Sequence, residues 1–176
     1  MTHELIFAGF GGQGILFSGK VIAYSAMIAD KEVSWLPSYG PEMRGGTANC
    51  HVIVSEIPVS SPLVTVPTIL AAMNKPSFEK FEMSVKPGGV IIKDSTLIDA
   101  KNNRDDIKYF DIPATQMAMD MDATKLSNMI MVGKIVKETG VLDIDTILHG
   151  LEKMTPPKKM NTFELNKKAI MAGYNY

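Results

Sequence analysis

The chain's 176 residues suffice for one domain, which at that length buries roughly 70% of its unfolded surface without disulfide or metal staples. Its 18 Lys and Arg against 19 Asp and Glu give a formal charge of −1, with 45% of residues hydrophobic and 21% charged. That balance excludes a disordered chain, a polybasic membrane-surface protein and a protein that wraps nucleic acid.

The first predicted element is the short apolar run Leu5-Ile6-Phe7-Ala8, which ends in glycines as a strand buried on both faces does. From about Gly14 to Ala29 the residues Ile15, Ala23 and Ala26 fit a helix, with no proline to break it. Val33 to Leu36 reads as a second strand stopped by Pro37, and Ser38 to Gly46 as a loop. Thr47 to Ser55 is a third strand, followed by a connection dotted with Pro58, Pro62 and Pro67. Thr68 to Met73 fits a helix or a strand, and the strand is favoured because Asn74 and Pro76-Ser77 resemble a turn and a helix start. A short helix over Phe78 to Val85, a tight turn at residues 86–89, and strands at Val90–Ile92 and Lys108–Ile112 come next.

Beyond residue 120 the apolar period becomes 3.6. Lys125 to Thr139 predicts a helix that stops at Gly140, a natural C-cap. Asp143 is positioned to cap a helix whose apolar face is Ile144, Ile147, Leu148, Leu151 and Met154, and which Pro156-Pro157 ends. Asn161 with Glu164 has the spacing of a capping box for a last helix. The alternation followed by helices predicts a single three-layer α/β domain over 1–176, with a mostly parallel sheet, a Rossmann-like glycine loop and a helical C-terminal part.

Gly9-Phe10-Gly11-Gly12-Gln13-Gly14 has the spacing G-x-G-x-x-G between a predicted strand and helix. Glycines there let the backbone approach a ligand closely, and the helix N-terminus offers free N–H groups, so the expected ligand is a phosphate or diphosphate. The alternative is that these glycines serve close helix–sheet packing or close approach of another subunit. A nicotinamide dinucleotide is disfavoured: its ribose needs an acid at the end of the second strand, and that end is Trp35-Leu36-Pro37. The loop from Ser38 to Gly46 leaves the same end of the sheet, where Arg44, flanked by glycines at 45 and 46, can present its planar fork to a phosphate or carboxylate. Glu42 offers the competing reading, a surface ion pair with Arg44.

Other residues carry less. One cysteine, Cys50, makes no disulfide, zinc site or cluster ligand set. It adjoins His51 on a strand, so the two side chains point to opposite faces and form no dyad. Met117, Met119 and Met121 have the look of a copper(I) thioether box, but among 13 methionines packing or an adaptable partner surface is the better reading. His3, His51 and His149 are too scattered for a metal site, and no catalytic group is assigned to this chain. No run of the roughly 18 apolar residues that span a bilayer is present and residues 1–4 begin no export signal, so a cytoplasmic protein is expected.

Six stretches together resemble the gamma subunits of 2-oxoacid:ferredoxin oxidoreductases: the loop at 9–14, Ser-Tyr-Gly-Pro-Glu-Met-Arg-Gly-Gly-Thr-Ala-Asn-Cys at 38–50, Ala-Met-Asn-Lys-Pro-Ser at 72–77, Lys-Pro-Gly-Gly at 86–89, Ile112-Pro113-Ala114-Thr115, and Asn128-Met129 to Gly133. The likeness covers nearly the whole chain, and Trp35 with the 38–46 motif is closest to the 2-oxoglutarate type, the branched-chain 2-oxoacid type next. It implies a complex that converts a 2-oxoacid, coenzyme A and oxidised ferredoxin to acyl-CoA, carbon dioxide and reduced ferredoxin. Thiamine diphosphate and iron–sulfur clusters would lie on alpha, beta and ferredoxin-like delta partners, with ferredoxin met indirectly. This chain would then serve assembly and a share of the coenzyme A site, inactive by itself; Gly9, Gly11, Gly12, Gln13 and Gly14 would cradle a diphosphate, Arg44 pair with a phosphate, and Ser38 and Asn49 add hydrogen bonds. A purely structural docking subunit with no ligand is the competing expectation.

Overall fold

A computed structural model describes residues 1–38 and 47–176. The run Leu5–Ala8 is the middle of a nine-residue strand, β1 (Thr2–Phe10), longer than expected because it is paired along its whole length with β3 (Thr47–Ser55), from Thr2↔Ser55 to Phe10↔Thr47. On its other side β1 pairs in parallel with β4 (Ile69–Ala72). Beyond β4 follow β5 (Val90–Asp94) and β6 (Lys108–Ile112), also parallel, and β2 (Glu32–Pro37) lies antiparallel to β3 at the opposite edge. The order is therefore β2-β3-β1-β4-β5-β6, with β3 alone reversed and β2 running the same way as β1.

Alternating side chains send two cores to the two faces. Leu5, Phe7, Cys50, Val52 and Val54 point to the face covered by α1 (Ile15–Ile28), α4 (Ser127–Thr139), α5 (Ile144–Met154) and α6 (Met160–Asn175). Ile6, Ala8, Ile53, Leu70 and Ala72 point to the face covered by α2 (Lys75–Phe81) and by the segments carrying Val64, Val85, Ile98 and Ile107. The three layers are thus helices, sheet, and one short helix with its flanking segments. A buried carboxylate fastens the second face: Glu82 accepts from Asn103 N–H at 2.9 Å, Asn103 Nδ2 at 2.6 Å and the Tyr109 hydroxyl at 2.6 Å. Burial opposes ionisation of Glu82, yet those three donors, with Lys93 nearby, outweigh it and hold the carboxyl below its ordinary value.

On the first face α4 and α6 cross backbone to backbone. A Cβ on Gly133 would overlap the Ile170 carbonyl oxygen, and one on Gly173 would overlap that of Ile130. Gly140 ends α4 in the left-handed conformation, φ 60°, with its N–H on the Val136 oxygen at 3.0 Å, as the sequence predicts.

Four expectations are corrected. The helix assigned to Phe78–Val85 starts three residues earlier, since Asn74 caps it by accepting from Ser77 N–H at 2.8 Å and Pro76 occupies its first turn; a 3-10 turn covers Glu82–Ser84. An unforeseen helix, α3 (Ala114–Asp120), contains the first two residues of the methionine run. Asp143 precedes α5 without a side-chain capping bond. The capping box at Asn161 and Glu164 does not form, because a 3-10 turn over Pro157–Lys159 runs straight into α6 and leaves Asn161 inside the helix.

Candidate functional site

The rim of the sheet where β1, β4, β5 and β6 end is the ligand-binding edge of an open α/β fold, and the favoured spot is where the crossovers change sides. That point is the seam between β1 and β4: α1, which follows β1, covers one face, and α2, which follows β4, covers the other. The glycine loop lies over this seam. Gly9 is still within β1, Gly11–Gln13 form the turn, and Gly14 is the N-cap of α1. Gly12 at φ 93° and Gly14 at φ 77° occupy the left-handed region that glycine tolerates. A Cβ at Gly12 would meet none of the described residues within 4 Å, and Gly12 is exposed at the tip of the turn. The loop and the α1 entry border a shallow depression of about 330 Å³ between Phe10, Gly12, Phe17 and Ala48.

Gln13 does what the sequence does not disclose. Its Oε1 accepts from Phe10 N–H at 2.6 Å and its Nε2 donates to the Met73 oxygen at 3.0 Å, so the side chain spans the seam as a brace and both ends are engaged within the chain. A Cβ on Gly9 would come within 2.6 Å of that Oε1. Asn128, at the start of α4, is a site residue the sequence reading did not single out: its Nδ2 donates to the Gly14 oxygen at 3.2 Å and to Ser18 Oγ at 3.1 Å, and it fills the space a Cβ on Gly14 would need. The sequence signal for both was a polar amide beside an otherwise small or apolar run. Asn128 Oδ1, together with Asn74 Nδ2 and Ser77 Oγ at the start of α2, is buried with no hydrogen-bond partner among the described residues. Unsatisfied polar capacity thus flanks both sides of the seam.

Because β2 parallels β1, its end reaches the same rim. Ser38 N–H donates to the Asn49 oxygen at 2.9 Å, tying the stems of the 38–49 segment together. Asn49 pairs with Ala8 and shares its face, the one opposite α1, so its side chain stands apart from the α1 N-terminus. Arg44, with Glu42 and the rest of 39–46, lies outside the described residues.

Cys50 and His51 take opposite faces, as alternation requires. Burial pushes the Cys50 thiol up to about 12 against hydrogen bonds with Trp35 and Gly19, which makes it a core residue rather than a nucleophile. On the other face, burial holds His51 below its ordinary value, and its neutral Nδ1 accepts from Val64 N–H at 2.9 Å. Among the described residues no three His, Cys, Asp or Glu side chains converge on a common point that would hold a metal ion, and no helix is long and apolar enough to cross a membrane.

Residues 4–176 match the family described as pyruvate ferredoxin/flavodoxin oxidoreductase. The chain belongs to that family. Within it, the chain is 32% identical to the 2-oxoglutarate synthase subunit KorC of Methanothermobacter marburgensis, over 98% of this chain and 99% of that protein. It is 35% identical to the ketoisovalerate oxidoreductase subunit VorA of Methanothermobacter thermautotrophicus, over 94% of this chain, and spans about a third of that relative's length, 34%. The gamma subunit of a keto/oxoacid ferredoxin oxidoreductase from Geobacter sulfurreducens superposes with a TM-score of 0.87 at 29% identity, covering 99% of this chain and 95% of that one. The 2-oxoglutarate:ferredoxin oxidoreductase of Magnetococcus marinus, solved with 2-oxoglutarate, coenzyme A and succinyl-CoA bound, shares the fold at a TM-score of 0.88 and 24% identity, over 99% of this chain and 30% of that one. The chain is thus a gamma-subunit domain of the 2-oxoacid:ferredoxin oxidoreductases, the family its motifs resemble.

Proposed function

We propose that this chain works as the gamma subunit of a 2-oxoglutarate-type enzyme, that it helps hold the complex together, and that its glycine loop receives the diphosphate of coenzyme A. The observation that carries the ligand reading is the placement of the loop: a glycine turn with an open tip over the switch seam, leading into the first turn of α1, whose N–H groups have no intrahelical acceptor. The buried, unpartnered polar atoms on both sides of that seam support a polar occupant. Gly11, Gly12 and Gly14 supply backbone to this cradle, Gln13 keeps its shape, and Arg44 supplies the charge that pairs with a phosphate oxygen; Ser38 contributes at its margin, while Asn49, on the other face of the sheet, does not. The bond-breaking chemistry would be carried by thiamine diphosphate and iron–sulfur clusters on alpha, beta and delta subunits, so the isolated chain would not oxidise a 2-oxoacid. Full-length correspondence with KorC favours the 2-oxoglutarate type, while the comparable identity to VorA favours a branched-chain substrate equally well on sequence alone.

A second reading has its own support. Gly9, Gly14 and Gln13 each have a reason internal to the fold, so the loop would also serve a docking subunit with no ligand. Arg44→Ala in the assembled enzyme separates the two. The expected result is a raised KM for coenzyme A with the decarboxylation step intact; an unchanged response to coenzyme A removes the ligand reading and leaves docking.

A further inference from the structure

Helix α1 is apolar around its whole circumference: its fourteen residues carry one charge, Lys20. A helix of that composition is one covered on every side. Here the sheet covers one side through Ile15, Val21, Ile22 and Ala26, and α5 covers another, with Gly150 against Ser25. Among the described residues the third side is bare. It presents Phe17, Lys20, Tyr24 and Met27 at spacings of three, four and three residues, one straight stripe. Beside it the edge strand β2 turns Val33 and Trp35 to the same face, leaving a groove of about 240 Å³ between helix and strand. Phe17 is 42% exposed, Met27 51% and Trp35 36%. Contiguous apolar surface of this kind marks an interaction site.

We infer that this stripe and groove hold the polypeptide that corresponds to the remaining two thirds of the longer VorA relative. The proposal rests on the functional reading above. Its occupant follows from lengths: the same fold is 34% of one relative's chain and 99% of another's. A domain that occurs both joined to further sequence and as a whole subunit needs a surface that keeps that sequence in place when no peptide bond does. Charge argues against a second copy as the occupant. In a two-fold contact the stripe would face itself, and Lys20 finds no acidic counterpart within it. A different chain can bring the carboxylate.

The test uses the full chain co-expressed with the other subunits of its complex. A photo-crosslinking residue replaces Met27, and a second preparation carries it at Met83, which is 68% exposed beyond α2 and sets the background. The expected adduct at 27, identified by mass spectrometry and exceeding that background, is with the polypeptide that aligns to the rest of VorA. In parallel, the double substitution Tyr24→Lys with Met27→Lys retains at least about tenfold less of that polypeptide on a tagged chain, while the far-ultraviolet dichroism and melting of the variant chain match wild type. Adducts at 27 with a second copy, adducts no stronger than at 83 in an intact complex, or wild-type retention by the double variant overturn the surface alone. A wild-type chain that brings down no such polypeptide overturns the functional reading and the surface with it.

Discussion

Replacing Gln13 tests whether the switch seam is held shut by one side chain. Gln13→Met keeps the length of the side chain and removes both hydrogen bonds. The Phe10 N–H lies on an exposed residue, so water replaces its lost acceptor at little cost. The Met73 carbonyl belongs to a fully buried residue, and losing its donor costs about 1–3 kcal/mol. At about 2–4 °C per kcal/mol for a domain of this size, the melting temperature falls by roughly 2–12 °C. Gln13→Glu refines the point, because it keeps an acceptor for Phe10 but sets a carboxylate against the Met73 oxygen. That raises the carboxyl's affinity for a proton in the folded state. The variant's deficit is therefore full at neutral pH and shrinks as pH falls through the raised value toward the ordinary glutamate range, where the protonated carboxylic acid donates to the Met73 oxygen. Thermal unfolding followed by circular dichroism, with each variant compared at the same pH, reads both effects. Wild-type melting for Gln13→Met, together with unchanged hydrogen exchange of the Phe10 amide, would refute the brace.

Four further outcomes are expected. Glu82 is held below its ordinary value in the folded chain, so the stability it supplies is complete above the usual glutamate range and is lost as pH falls through the lowered value; Glu82→Gln flattens acid unfolding there, measured by urea midpoints against pH. Tyr109, pushed up to about 12 by burial and by the Glu82 carboxylate, loses its contribution as pH climbs from the ordinary phenol range through that value, and Tyr109→Phe shows no such alkaline loss. Gly133→Ala forces backbone against backbone at the α4–α6 crossing and destabilises by more than the roughly 1–3 kcal/mol of ordinary overpacking, with a less than additive further loss on adding Gly173→Ala. The buried Cys50 stays unreactive toward a thiol reagent at pH 8 in the folded chain and reacts at once in denaturant, which makes it a reporter of global opening.

The strands were readable where composition alone decides them. The third strand runs Thr47–Ser55 and the last Lys108–Ile112, both as the residues predict, because β-branched and aromatic residues there are bounded by clear turn signals. Direction is set by partners rather than by pattern, so the reversal of β3 is not visible in its own residues, although residues 38–46 are too few for the crossover a parallel neighbour requires. α3 was hidden because Pro113 in front of it and the run of Met and Ala offered no charged face to fix its period. In the site, the loop and its place at the rim were legible from glycine spacing and strand order. The partners of its side chains were not: Gln13 meets Met73, and Gly14 meets Asn128, across separations that no local pattern encodes.

The lone reversed strand also divides the protein in time. β1, α1, β2 and β3 lie within the first 55 residues, and the β1–β3 and β2–β3 pairings both close inside that stretch. As the polypeptide leaves the ribosome, this three-stranded unit can close around α1 before β4 has emerged, whereas the parallel half must wait for the α4–α6 lock formed by the last helix. The nascent chain thus presents its α1 flank well before its final turn is made, so the docking proposed above would be open to a partner synthesised nearby while translation continues.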